Sequence, residues 1–196
     1  LKDAPNIPTN QKAKYVGITL DKAYRLEELI NEFFEIARFN AGNIILNRSN
    51  LNLKLLLEQV VDEFYPIFKS ENKSIVIHSD SNINIYADPD KISRVFNNIL
   101  KNAISYSFPN SEIKINVTKN MDDGKVNISI ENYGNTIPKD KLDYIFEKFY
   151  RLDDARSTNS GGAGLGLAIA KEVVEAHGGT IFANSKNNIT TFTVLL

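Results

Sequence analysis

Residues 161–171 read Gly161-Gly162-Ala163-Gly164-Leu165-Gly166-Leu167-Ala168-Ile169-Ala170-Lys171. Four glycines fall within six positions, and an apolar, helix-forming run follows. So many glycines belong where the backbone takes positive φ or closely approaches another group. A glycine-rich turn opening a helix aims free N–H groups and the positive end of the helix dipole outward, which suits an anion such as a phosphate. The same glycines would serve a hinge or a tight helix–sheet contact equally well, and the stretch alone does not choose. It lacks the Gly-Lys-Ser/Thr ending of a Walker loop and the early position in a βαβ unit of a Rossmann turn. Companion motifs must decide.

The 196 residues allow one compact domain plus an extra element. Apolar residues make up 42% and charged residues 24%, ordinary for a globular chain. A net charge of −1 gives no electrostatic case for nucleic acid or an anionic membrane as partner. The absence of cysteine removes disulfides and thiolate metal sites. No apolar run approaches the length of a membrane span. Opening on Leu1 within a proline-containing segment, the chain is expected to be a piece of a longer one.

A long helical pattern runs from about Asn10 to Phe39. Val16, Thr19, Ala23, Leu26, Ile30, Phe33 and Ala37 occupy heptad a and d positions, and Leu20, Leu29 and Phe34 widen the stripe. Such a face needs a helical partner, and Ala41-Gly42-Asn43 then marks a boundary. Residues 1–43 are therefore expected to be separate from 44–196. The pattern next predicts a short strand at Ile44–Arg48. Ser49 is expected to cap a helix to about Ser70, with Pro66 bending or shortening it. Strands are predicted at Ser74–His78 and Ile83–Tyr86. Asp88-Pro89 reads as an N-cap followed by proline at the first helical position. That helix should reach Ser107 with Ile92, Val95, Phe96, Ile99, Leu100 and Ala103 buried. A hairpin of Glu112–Lys119 with Lys125–Glu131 follows, then a short helix from Lys139 to Phe146 and a polar loop over 147–162. A helix over Leu165–His177 stops at Gly178-Gly179, and Thr180–Asn184 with Ile189–Leu196 closes the chain as a hairpin. The fold class expected is α+β, a two-layer sandwich with helices on one face of a mixed, mostly antiparallel sheet.

Asn98 and Asn102 lie four apart on one helix face, where their oxygens suit a hard cation such as Mg²⁺; a solvated polar face is the plainer alternative. Tyr106, one turn on, suits stacking on a flat base or packing under the sheet. Asn132-Tyr133-Gly134-Asn135-Thr136-Ile137-Pro138 follows a strand and precedes a helix. It reads either as a turn or as a place where a ligand ring meets backbone. Phe146, Phe149 and Tyr150 around Lys148, leading to Arg151 and Arg156, read as a lid or as a satellite apolar cluster with two surface arginines. His78 in a strand and His177 at a helix end are explained by exposure and the helix dipole. Neither has a metal-ligand partner at useful spacing, and no nucleophile–histidine arrangement is apparent.

Together these segments come in a recognisable order. Asn98-Ile99-Leu100-Lys101-Asn102-Ala103 resembles the N box of sensor histidine kinases, and Asn132–Pro138 their first glycine box. Ile145-Phe146-Glu147-Lys148-Phe149-Tyr150-Arg151 is similar to the F box, and Gly162–Ile169 to the second glycine box. Residues 10–40 resemble the second helix of the dimerisation hairpin. Within the family, Gln11–Val16 with 96–103 and 137–152 is most similar to the vancomycin-resistance sensor kinases.

The resemblance implies a Bergerat ATP-binding fold over 44–196, with ATP and Mg²⁺ as ligands. It assigns Mg²⁺ to Asn102 with Asn98 beside it, the adenine amino group to Asn132, and the base face to Tyr106. Thr190 lies near adenine, and Ser105, Gly134, Ile137 and Tyr150 complete the nucleotide contacts. Arg151 and Arg156 belong to the lid, while Gly162, Gly164, Leu165, Gly166 and Leu167 shape the phosphate turn. It also implies a response-regulator partner, a homodimer through an upstream helix carrying the phospho-accepting histidine, and a membrane anchor with this portion cytoplasmic. No catalytic residue is expected in this chain, because neither His78 nor His177 matches the acceptor motif. Asn132 stands where the family usually has Asp, Thr136 where it has Gly, and Ser105 where many members are basic. Two other readings stay open. One is a degenerate nucleotide-binding or dimerisation module; the other is an ATPase of the same superfold, which would need a Glu base where Asn98 stands.

Overall fold

The computed structural model describes residues 8–40, 45–79, 83–121, 124–152 and 163–196. They fall into two compact units, Leu1–Gly42 and Asn43–Leu196. The first contains one helix, α1 (Thr9–Asn40), of 32 residues and about 48 Å in length. Val16, Leu20, Tyr24, Leu26, Ile30, Phe33 and Phe34 are all exposed along it.

The second unit is a two-layer α+β sandwich. Its elements in order are β1 (Ser49–Asn52), α2 (Leu53–Glu63), α3 (Tyr65–Glu71), β2 (Ser74–Ser79), β3 (Asn84–Ala87), α4 (Pro89–Tyr106), β4 (Glu112–Lys119), β5 (Val126–Tyr133), α5 (Gly166–Ala176), β6 (Thr180–Lys186) and β7 (Ile189–Leu195). Five strands form one sheet in the order β2-β4-β5-β7-β6. β2 and β4 run parallel, and every other neighbouring pair is antiparallel. Period-2 alternation turns Ile113, Ile115, Val117, Ile128, Ile130, Phe192 and Val194 to one face. There they are buried with the α4 stripe of Ile92, Val95, Phe96, Ile99, Leu100 and Ala103, and with Ile169, Val173 and Val174 of α5. α2 adds Leu53, Leu56, Leu57 and Val60 to the same core.

Three expectations need correction. The short strand expected at Ile44–Arg48 is found at Ser49–Asn52, and residues 45–48 are not in a strand. Its polar sequence Ser-Asn-Leu-Asn becomes a strand by pairing antiparallel with β3, Ser49 opposite Ala87 and Asn52 opposite Asn84. Ser49 is thus taken up in the strand, and Asn52 is the cap, its side-chain oxygen accepting from the Leu55 N–H at 3.0 Å. Pro66, expected to bend or shorten the helix, shortens it. A proline there cannot donate to the carbonyl four residues back, so α2 stops at Glu63 and Pro66 opens α3. Residues 139–146 form two 3₁₀ turns, Lys139–Lys141 and Tyr144–Phe146. The second turn buries the consecutive side chains Ile145 and Phe146, the latter edge-on to Phe192 at 6.5 Å.

The start of α4 is tied to the end of α5. Asp88 caps α4 by accepting from the Lys91 N–H at 3.1 Å, while its other oxygen accepts from the Asn47 N–H at 2.8 Å. The Asp88 N–H donates to His177 Nε2 at 3.1 Å. An accepting Nε2 leaves the ring proton on Nδ1, which donates to the Val173 carbonyl at 2.8 Å. His177 therefore bridges two helices through both ring nitrogens, which exposure and the helix dipole alone do not explain. Arg48 adds a bond to the Ala176 carbonyl at 3.2 Å.

His177→Phe should leave the Asp88 N–H, on a residue only 4% exposed, without its acceptor. Urea denaturation should show a loss of about 1–3 kcal/mol, and His177→Gln, which keeps an acceptor, should recover part of it. Equal midpoints for wild type and the Phe variant would contradict this bridge.

Candidate functional site

The site is built along α4. Asn98 and Asn102 share a face of that helix and are half-buried. Asn98 lies over the first residue of α5. A Cβ added at Gly166 would come within 3.3 Å of Asn98 Oδ1 and 3.4 Å of its Cγ. The other polar atom of that carboxamide, Nδ2, is buried with no hydrogen-bond partner, as is Oδ1 of Asn97. As assigned, the oxygen of this carboxamide faces Gly166 and its nitrogen is buried without a hydrogen-bond partner. An unmet buried polar atom costs about 1–3 kcal/mol, which a bound phosphate or hydrated cation beside it would relieve.

The glycine turn supplies the opposing wall. Gly164 has φ +75°, and a Cβ there would stand 2.7 Å from the Tyr150 carbonyl oxygen and 2.9 Å from the Phe149 carbonyl carbon. The Phe149 N–H donates to the Gly164 carbonyl at 2.9 Å, and Phe149 itself takes φ +66°. Backbone strain of this kind costs of order 1–3 kcal/mol and persists only where its surroundings enforce it. Leu165, at the cap position of α5, gives no side-chain acceptor. The first N–H groups of α5 therefore lack both an intrahelical partner and a side-chain cap, the arrangement that accommodates an anion. Leu165 and Leu167 are buried. Carboxamide oxygens, an orphaned buried amide and an uncapped helix start together fit a Mg²⁺–phosphate group.

At the other end of α4, Gly134 is fixed by sterics. A Cβ there would collide with the Tyr106 carbonyl oxygen, and the Phe108 N–H donates to the Tyr133 carbonyl at 2.7 Å. Tyr106 is half exposed and so does not pack under the sheet. Asn132 is buried and pairs across the sheet with Thr190, also buried. Thr190 Oγ1 is 2.8 Å from Ser185 Oγ, which accepts from the Ile137 N–H at 2.9 Å. Thr136 is held outward, its hydroxyl accepting from the Asn188 N–H at 2.8 Å. Asn98 and Tyr106 stand about 12 Å apart along the axis of α4.

The remaining expected residues are placed less closely. The Ser105 hydroxyl turns back to the Lys101 carbonyl at 2.7 Å. The Tyr150 ring stands 5.8 Å from that of Tyr144, and Arg151 is half-buried and engaged with other groups. Arg156 and Gly162 lie outside the described residues. Among the described residues no cluster of three His, Asp or Glu side chains is arranged to hold a metal. A cleft of about 250 Å³ beside His177, Tyr86 and Leu196 is lined by none of the candidate residues.

Ser185, in contact with the candidate residues Thr190 and Ile137, is one that motif reading passes over. It was legible through the hairpin. Asn187 and Asn188 both take positive φ, the mark of a two-residue turn. Counting outward from that turn sets Ser185 opposite Thr190.

Residues 87–196 match the family described as histidine kinase-, DNA gyrase B-, and HSP90-like ATPases. The chain is 56% identical over all 196 residues to the sensor protein VanS of Enterococcus faecium and spans 50% of that relative. It is 41% identical to the sensor protein VanSC of Enterococcus gallinarum, spanning 54% of it. The chain thus covers about half the length of the curated relatives it matches. Full-length ShkA, solved in complex with AMPPNP, shares the fold with a TM-score of 0.84 at 24% identity, over 98% of this chain and 40% of that one. The asparagine-bearing helix, the uncapped glycine turn and the buried end of β5 lie inside the matched span. With more than half of its residues in that match, the chain belongs to the histidine kinase-, DNA gyrase B- and HSP90-like ATPase family.

Proposed function

We propose that this chain is the ATP-binding catalytic portion of a sensor histidine kinase that serves vancomycin-resistance signalling. The observation that carries the reading is that one helix, α4, meets the phosphate turn with Asn98 and the β5 turn with the Tyr106 carbonyl. Their separation suits a nucleotide lying along the helix, base toward Gly134 and phosphates toward Gly166. Asn132 and Thr190 then face the base edge, with Ile137 beside them, and Tyr106 lies against the ring. The N–H groups opening α5 receive phosphate oxygens. The carboxamide oxygens of Asn98 and Asn102 are hard ligands suited to Mg²⁺, whose charge offsets that of the phosphates when it is bound. Arg151 and Arg156 extend the charge complement from the lid.

The reaction is transfer of the γ-phosphoryl group. A histidine ring nitrogen attacks the γ-phosphorus, a P–N bond forms, and the bond to the β-phosphate oxygen breaks, releasing ADP with the bonding pair. This chain contributes positioning and charge neutralisation. The acceptor histidine belongs to a dimerisation helix preceding α1, and α1 is the second helix of that hairpin. The apolar residues exposed along α1 support this assignment, because they ask for helical partners in its own hairpin and in a homodimer. A response-regulator aspartate receives the phosphoryl group next. ThkA, which shares the fold at TM-score 0.77 and 26% identity over all of this chain and 53% of its own, was solved with the response regulator TrrA. Hydrolysis is disfavoured because Asn98 cannot take a proton from water. No helix among the described residues is long and apolar enough to cross a membrane, so an anchor would lie in other segments, with this portion on the cytoplasmic side where ATP is available.

Supplied with Mg-ATP and a separate hairpin bearing the acceptor histidine, the chain should transfer acid-labile phosphate to that hairpin. Asn102→Ala should lower the rate at least ten- to a hundred-fold, the range that loss of an outer-shell metal contact alone produces. Transfer at an unchanged rate by this variant would remove Asn102 from the mechanism. Asn132→Asp should tighten binding of adenine nucleotide by about tenfold, since a charged acceptor strengthens the bond from the amino group by roughly 1–2 kcal/mol. Unchanged affinity on titration would contradict the assignment of Asn132 to the base edge.

A further inference from the structure

The base-reading end is built from groups with no fixed hydrogen-bonding polarity. Asn132 is 3% exposed, and no hydrogen bond among the described residues engages its carboxamide. Its Nδ2 would lie 3.3 Å from a Cβ at Gly134. A carboxamide rotated by half a turn exchanges donor for acceptor in the same place. Opposite it, Thr190 is 4% exposed, and its hydroxyl stands 2.8 Å from that of Ser185, where either oxygen can be the donor. If Ser185 donates, the Thr190 proton is left for a ligand; if Thr190 donates, its lone pairs face the ligand instead. The Ile137 N–H satisfies Ser185 from behind in both arrangements. Nearby backbone donors are engaged elsewhere: Gly134 gives its N–H to the Asn188 carbonyl at 2.9 Å, and Asn188 gives its own to Thr136.

A 6-aminopurine offers a donor at C6 and an acceptor at N1; a 6-oxopurine offers the reverse at both positions. Two adjacent side-chain groups that can each reverse polarity match both edges. We propose that this site accepts 6-oxopurine nucleoside triphosphates as well as ATP, with Asn132 and the Ser185–Thr190 pair turning over between the two. The inference rests on the reading of this end as the base site. A carboxylate at position 132 would be an acceptor only and would face the C6 oxygen unfavourably.

The test is competition of AMPPNP and of inosine triphosphate, which carries the 6-oxo edge without a 2-amino group, against a fluorescent ATP analogue bound to the 196-residue chain with Mg²⁺. Both should displace the probe with affinities within about tenfold of each other. Asn132→Asp should tighten AMPPNP by about tenfold and weaken inosine triphosphate by tenfold or more, the scale set by one unmet buried polar pair. Displacement by AMPPNP with inosine triphosphate at least a hundredfold weaker on the wild-type chain would overturn the inference and leave the ATP site standing. A probe that does not bind, or that AMPPNP cannot displace, would overturn the site reading and the inference with it.

Discussion

The close approach of α4 to the first turn of α5 is the constraint on which the rest of the molecule depends. Gly166 leaves room for Asn98, and Gly164 leaves room for the backbone of Phe149 and Tyr150. A side chain at Gly164 would collide with that backbone, and one at Gly166 would press on the Asn98 carboxamide. The sheet beneath serves this approach. Its apolar face is covered by α2, α4 and α5 on one side, and the alternation in β4, β5 and β7 holds α4 and α5 side by side. At the far ends of these helices, His177 and Asp88 fix the same pair again through a buried backbone N–H. α5 is thus held to α4 at both of its own ends, which restricts where the asparagines stand relative to the glycine turn.

Chemically, the site is assembled from neutral groups. The candidate residues described there are carboxamides, backbone N–H groups and hydroxyls on β5, β7, α4 and the start of α5. Neutral donors and acceptors bind a polyanion chiefly by geometry, so in the proposed nucleotide site Mg²⁺ and the helix start would carry most of the charge complement. The same neutrality makes the base end adaptable, since hydroxyls and amides choose their polarity after the ligand arrives.

Much of this was legible from the residues. The glycine cluster, the Asp88-Pro89 helix start and the apolar period of α4 are local signals with local causes, and each element forms where its signal lies. What was not legible depended on partners distant in sequence. Ser49–Asn52 is too polar to announce a strand and becomes one only beside β3. Ser49 and Asn52 are both good caps, and only the pairing of Ser49 in β1 shows which is used. His177 reads as an exposed helix-end histidine until Asp88, 89 positions earlier, is folded against it. The 3₁₀ turn that ends at Phe146 goes with burial of that ring against Phe192, which local periodicity does not contain. The asparagine pair was legible as a motif, but its contact with Gly166 needed the packed helices.

The central claim, that α4 and the glycine turn together make a Mg²⁺-dependent nucleotide site, is tested most directly by calorimetric titration of the chain with a non-hydrolysable ATP analogue. The titration is run with and without Mg²⁺, for the wild type and for Asn102→Ala. Saturable binding that needs Mg²⁺ and is lost in the variant is the predicted result. No heat of binding up to millimolar analogue, from a chain that is folded by circular dichroism, would contradict the account.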